Sequence, residues 1–237
     1  MSPEVDAVVK QWPWISLTVG LALAAQLLFG EWKTARGPSD LRSFDSWYLR
    51  MHDPRWWCYV CGPMYMIHQF EEWGYDIKGV PYSFHRSLCE NLGYPDPNNC
   101  PATPLPVWGV NGIMMWIGAW SLRYANPSVG GANYYGMVMF NSLTHVMRAI
   151  LDGEYNAGLL STLVNFMPAS YYFYSAMLAD KKLKEAGIVR SFVLGIVGHL
   201  LWVLPYIWID KGYISEITAC GIQLLNTLML HVVNVPI

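Results

Sequence analysis

The chain has 237 residues, 54% hydrophobic and 15% aromatic, with only 14% charged and a formal net charge of −2. A soluble domain carries about 25% charged residues, so the composition argues against one and for an all-α, polytopic membrane bundle rich in interfacial Trp and Tyr. There is no basic stripe or nucleic-acid motif, so nucleic acid is not expected as a partner, and five scattered Cys do not make a disulfide scaffold.

The whole chain, 1–237, reads as a single transmembrane domain of about seven helices without internal repeats. The first predicted span is 12–29, uncharged and close to the roughly 20 residues needed to cross a bilayer. It reads as a retained span rather than a cleavable leader, because it lacks a basic flank and a small-residue cleavage site. A polar connection, 31–55, carries Lys33, Arg36, Arg42 and Arg50. The second span, 56–75, contains Cys58 and Cys61 in CxxC spacing, but no second pair accompanies them. Late in this span stands His68-Gln69-Phe70-Glu71-Glu72.

A long stretch at 78–106 follows, rich in Pro, Asn and Asp and containing Cys89 and Cys100. It reads as an ordered loop on the lumenal or external side, a common functional lid. The third span is 105–122. The fourth, 132–151, contains Asn141 and His145, and the fifth, 157–179, contains the Tyr171–Tyr174 aromatic run. A linker with Lys181, Lys182, Lys184 and Arg190 leads to the sixth span, 191–209, which contains His199 and Pro205. The seventh, 214–235, contains Gln223, Asn226 and His231.

Basic residues favour cytoplasmic connections. The two basic linkers fall on one side of a seven-span bundle, so the N-terminus is expected to be lumenal or external and the C-terminus cytoplasmic. The location is the endoplasmic reticulum or the plasma membrane. On this orientation each polar residue has a depth, at about 1.5 Å of rise per residue. Residues spaced by three and four share a helix face, which groups His68 with Glu71 and Glu72, and Asn141 with His145. A polar layer in the lumenal half therefore gathers His68, Glu71, Glu72, Asn141 and His145, with His199 reaching the same height. His231 lies outside it. Ionisable groups in a span are costly and mark functional sites.

The motif His68-x-x-Glu71-Glu72 resembles that of the HXXEE family of small integral membrane proteins. The likeness extends to Asn141-x-x-x-His145 and to a turn, Tyr155-Asn156-Ala157-Gly158, followed by Ser161-Thr162. Ala157 stands where the family pattern has proline. The resemblance covers roughly residues 56–180. It implies a membrane location and no particular reaction, so the chemistry rests on the residues.

Two neighbouring buried carboxylates are expected to share a proton. The first expectation is therefore acid–base isomerisation or cyclisation of an isoprenoid, terpenoid or sterol-like substrate. His68, Glu71, Glu72, Asn141, His145 and His199 are its catalytic residues, and aromatic faces stabilise a cationic intermediate. No cofactor is required. The second is a mononuclear Zn or Fe site drawn from His68, Glu71, Glu72, His145 and His199, acting as a hydrolase or oxidase. The third is a non-enzymatic lipid binder or transporter. In each case the partners are a lipophilic small molecule and membrane lipid.

Overall fold

The computed structural model describes residues 3–29 and 50–233, and no strand occurs among them. Lys33, Arg36 and Arg42 of the first basic connection, and the end of the seventh predicted span, lie outside the described residues. Seven long helical runs fall at the positions of the expected spans. Helix α1 is Pro3–Phe29 and α2 is Pro54–Trp73. A short helix, α3, is Ser83–Asn91. The run α4 joins Pro104–Val107, a π turn at Trp108–Met114, Met115–Ser121 and a 3-10 turn at Leu122–Tyr124. Helix α5 is Ala132–Asp152. The run α6 joins Leu159–Ser161, a π turn at Thr162–Phe166 and Met167–Ala179. Helices α7 and α8 are Glu185–Asp210 and Glu216–Val232.

Two helical segments, Ala7–Phe29 and Glu185–Asp210, are long and apolar enough to cross a membrane. The other runs fall short of that standard for physical reasons. His68, Glu71 and Glu72 make α2 polar, π turns interrupt α4 and α6, and α8 has only 17 residues.

Local chemistry sets the helix ends. The Asp53 carboxylate accepts from the Arg55 N–H and Pro54 occupies the first helical position, an N-terminal cap on α2. Ser215 caps α8 in the same manner through Thr218 N–H. Gly153 closes α5 in the left-handed conformation, φ 67°. Helix α5 packs most extensively against α7, and α1 lies along α2. The α5–α7 crossing is backbone on backbone: a Cβ on Gly136 would meet Ser191 O at 2.0 Å, and one on Gly195 would meet Gly136 O at 2.4 Å. Small residues at such a crossing let two helices approach closely.

The 78–106 stretch is more ordered than a loop. It holds α3 and a 3-10 turn at Pro97–Asn99 capped by Asp96, joined by a Cys89–Cys100 disulfide with an S–S distance of 2.13 Å. Cys58 and Cys61 are buried and unbonded to each other. This lid lies over the C-terminal end of α2, where the polar residues are.

Candidate functional site

The site forms where the last turns of α2 meet α5 and the N-terminus of α6. His68 and Glu72 are one turn apart on α2 and both are buried. Opposite them stands His145 of α5, also buried. His68 Nε2 lies 3.3 Å from Glu72 Oε1, and His145 Nε2 lies 3.2 Å from the same oxygen. The two imidazole rings are 5.3 Å apart and nearly perpendicular.

The far side of each ring is fixed. His145 Nδ1 lies 2.7 Å from Asn156 Oδ1, while Asn156 Nδ2 donates to His145 O at 2.9 Å. The second bond orients the amide, so Nδ1–H of His145 must be the donor in the first. His68 Nδ1 lies 2.8 Å from Ser161 Oγ, and Ser161 donates to Gly158 O at 3.2 Å. The serine proton is thus directed away, and Nδ1–H of His68 donates to Ser161. In the neutral rings, with the proton on Nδ1, both Nε2 lone pairs face Glu72 Oε1, whereas a protonated ring forms an ion pair with that oxygen. Neither approach is a hydrogen bond: His68 Nε2 and Glu72 Oε1 have no hydrogen-bond partner in the described structure. Gln69, fully buried on the same turn, donates to the other carboxylate oxygen at 3.2 Å and so sets the rotation of Glu72.

Glu71 has a different task. Its Oε1 accepts from Tyr155 OH at 2.7 Å and Leu160 N at 2.9 Å, and its Oε2 accepts from Ser161 N at 2.7 Å. Two of these donors are the otherwise unpaired first N–H groups of α6, where a carboxylate is favoured. Burial, and then the hydrogen bond to Glu71, push the Tyr155 phenol well above its usual pKa, so it stays a donor. The two carboxylates therefore face separate partners and do not form the proton-sharing pair expected from their adjacency. Glu71 ties α2 to α6 and holds Ser161 against His68.

Gly158 closes the floor of the site. Its φ is +95°, and a Cβ there would lie 2.5 Å from His145 Cε1 and 2.9 Å from His68 Cε1. Glycine is needed both for the turn and for the space. Aromatic rings complete the walls. Phe166 sits 4.3 Å from the His68 ring, Tyr65 at 6.0 Å from it, and Phe84 of the lid 6.1 Å from His145. A cavity of about 500 Å³ lined by polar residues including Arg86, Thr144, Arg148 and Asn156 reaches His145.

Of the residues expected at the site, His68, Glu72 and His145 converge, and Glu71 supports them from the side. Asn141 lies one turn before His145 on its face of α5; its Oδ1 is buried and without a partner. His199 is placed apart from the triad's bonds. Its Nδ1 bonds Gly195 O at 2.9 Å, and its ring rests on Phe140 and Trp202. His231 contacts Ser121 and bonds Thr227 O at 3.3 Å, in keeping with its exclusion. Sequence reasoning missed the roles of Gln69, Tyr155, Asn156, Gly158 and Ser161. The Tyr155–Ser161 turn was the available signal, since small polar residues and a glycine at a helix start suit second-layer partners.

Among the described residues, His68, Glu72 and His145 form a buried group with the donor set for a metal ion, their ligand atoms all within 4.8 Å of one another. Ligands at about 2.0–2.2 Å from one ion in tetrahedral array stand about 3.3–3.6 Å apart, close to the separations of Glu72 Oε1 from the two imidazole nitrogens. His85, Cys89 and Cys100 also cluster, but their two sulfurs are bonded to each other.

Fold and site together define an all-helical protein with a buried imidazole–carboxylate–imidazole centre. The model of a family described as "Protein of unknown function with HXXEE motif" matches residues 59–173. The match covers all three converging residues and the Tyr155–Ser161 turn, and the chain is similar to that family over this region. No curated protein matches the chain, and no solved structure does.

Proposed function

We propose that the chain is an integral membrane enzyme that hydrolyses a lipophilic small molecule at a mononuclear divalent metal held by His68, Glu72 and His145. The observation that carries this reading is the meeting of three acceptors. Two Nε2 lone pairs and one buried carboxylate oxygen approach to 3.2–3.3 Å without a hydrogen bond. Acceptors so placed repel unless a cation, either a metal ion or a proton on one ring, lies among them. Hydrogen-bonded Nδ1–H groups behind both rings are the usual support of metal-bound histidine. Three protein ligands, two His and one Glu, leave a coordination position open.

A divalent ion there would supply Lewis acidity to a carbonyl or epoxide oxygen and lower the pKa of water. The chain's own residues do the rest. Asn156 and Ser161 hold the rings, Gln69 holds the carboxylate, and Gly158 excludes bulk from beneath them. The polar cavity beside His145 admits water, and hydrolysis needs no other co-reactant.

Membrane embedding in a seven-helix bundle, N-terminus lumenal, is part of this reading. Val189, Val193, Val197 and Leu200 form an exposed apolar stripe along α7, suited to lipid. The Cys89–Cys100 bond belongs in an oxidising compartment, which is the side opposite the Lys181–Lys184 linker.

One observation favours a second reading, acid–base isomerisation or cyclisation. Phe166, Tyr65 and Phe84 ring the imidazoles and could stabilise a carbocation while a protonated Glu72 or His68 donates. Metal analysis of the purified protein decides between them. About one equivalent of Zn or Fe per chain is expected, lost in His145→Ala and in Glu72→Gln. A metal-free protein that still turns over its substrate overturns the first reading in favour of the second. Ligand retained by Glu72→Gln, with no turnover by the unaltered protein, leaves a binder.

A further inference from the structure

An open groove of about 660 Å³ lies where α5, α6 and α7 meet. None of His68, Glu72 and His145 lines it. Leu143, Met167, Tyr171 and Leu178 do, each between 38% and 68% exposed. Among them the chain keeps small side chains, Ser142, Ser170 and Ser175, which leave the depression unfilled. Ser142 Oγ donates to Val138 O at 2.8 Å, and Tyr174 OH donates to Ala132 O at 2.9 Å, so these hydroxyls are satisfied within the fold. The groove therefore offers carbon almost throughout. Continuous exposed apolar surface marks a contact with lipid or with a partner.

Two observations select what fills it. The first is length. On α6 the lining runs from Met167 to Leu178, about 17 Å at the helical rise. That is close to half of the roughly 30 Å hydrocarbon core of a bilayer. One leaflet's acyl chain matches this depth, whereas a protein segment crossing the bilayer would overrun it. The second is charge. Leu178 and Ile188, which both line the groove, flank the turn that carries Lys181, Lys182 and Lys184, all exposed. Lys182 pairs with Asp180, whereas Lys181 and Lys184 form no ion pair among the described residues. Three lysines against Asp180 and Glu185 leave this turn with a net charge of +1. Basic residues just outside a span attract anionic headgroups.

We infer that the groove holds an acyl chain of one anionic phospholipid, from the leaflet on the side of the Lys181–Lys184 linker, with its phosphate at Lys181 and Lys184. The inference goes beyond the metal centre and rests on the membrane embedding proposed above.

Full-length protein, delipidated in detergent, is titrated with palmitoyl-oleoyl phosphatidylglycerol or the matching phosphatidylcholine and read by native mass spectrometry. About one phosphatidylglycerol per chain is expected, bound about fivefold or more tighter than phosphatidylcholine. A lysine near the headgroup is worth about fivefold in affinity. Lys181→Gln and Lys184→Gln should each weaken phosphatidylglycerol by about that factor and leave phosphatidylcholine unchanged. Ser175→Phe, which fills the groove from an exposed position, should lose both lipids. Val193→Phe, on the exposed stripe of α7, should lose neither and controls for bulk. Equal affinity for the two lipids, unaltered preference in both lysine variants, or full retention by Ser175→Phe overturns the inference. Carbonate extraction of membranes from expressing cells separates the failures. A chain that stays with the membrane but shows no lipid preference overturns this inference alone. A chain released to the supernatant overturns the membrane reading with it.

Discussion

Glu71 and Glu72 are neighbours in sequence and equal in charge, yet they answer to different chemistry. Glu72 Oε1 faces two imidazoles, whereas all of the hydrogen bonds to Glu71 come from Tyr155 and the start of α6. Glu72→Gln should therefore abolish stoichiometric metal binding. Glu71→Gln should keep the ligands, weaken metal affinity about tenfold, and cost about 1–3 kcal/mol by leaving a buried donor unpaired. Metal titration and thermal unfolding on both variants separate the two roles. Asn156→Ala removes the partner of His145 Nδ1 and should lower metal affinity about 10- to 100-fold with a smaller change in unfolding temperature. The His68–Glu72 and Asn141–His145 pairs were legible because helix periodicity places them. Asn156 and Ser161 were not legible as ring supports, because turn-to-helix contacts such as His68–Ser161, 93 residues apart, leave no periodic trace. His199 has the same polarity signal as His145, but a backbone carbonyl of its own helix satisfies it.

Between elements, two features fix the architecture around the site. The first is the α5–α7 crossing at Gly136 and Gly195. Gly195→Ala would put a methyl 2.4 Å from Gly136 O, and a destabilisation of about 1–3 kcal/mol follows from such overpacking. Thermal unfolding in detergent measures it, with Gly221→Ala, where nothing lies within 4 Å, as the control. The second is the lid. Joint replacement of Cys89 and Cys100 by Ser opens an 11-residue closure and should cost about 2–3 kcal/mol. Limited proteolysis should then cut within 83–107, where the unaltered protein resists. Hydrophobic runs foretold the seven long helices. They did not foretell α3, whose nine residues bury one side against Trp73, His145 and Cys100, or the π turns in α4 and α6.

At the scale of the whole molecule, the basic linkers carry the expected orientation, and labelling tests it. Single cysteines placed in the Lys181–Lys184 linker should react with an impermeant maleimide only after the membrane is opened on the cytoplasmic side. One placed at Asn98, exposed in the lid turn, should react from the opposite side. The reverse pattern would put the disulfide in a reducing compartment and remove the orientation argument. The expected asymmetry comes from the basic linkers alone. Which end of the bundle holds the polar centre also followed, since residue depth scales with helix rise. The chemistry of that centre did not follow, because ring tautomers depend on partners that only the folded chain supplies.

Helix α2 carries His68, Glu71 and Glu72 within its final two turns, and Pro63 lies one turn earlier. Proline removes a helical hydrogen bond and permits a bend. The segment beyond it has two grips, one on the α6 N-terminus and one on the imidazoles, and a bend at Pro63 would move both together. A tilt that loosened one grip would therefore disturb the other, so the hold on α6 and the approach of Glu72 to the imidazoles are geared to each other.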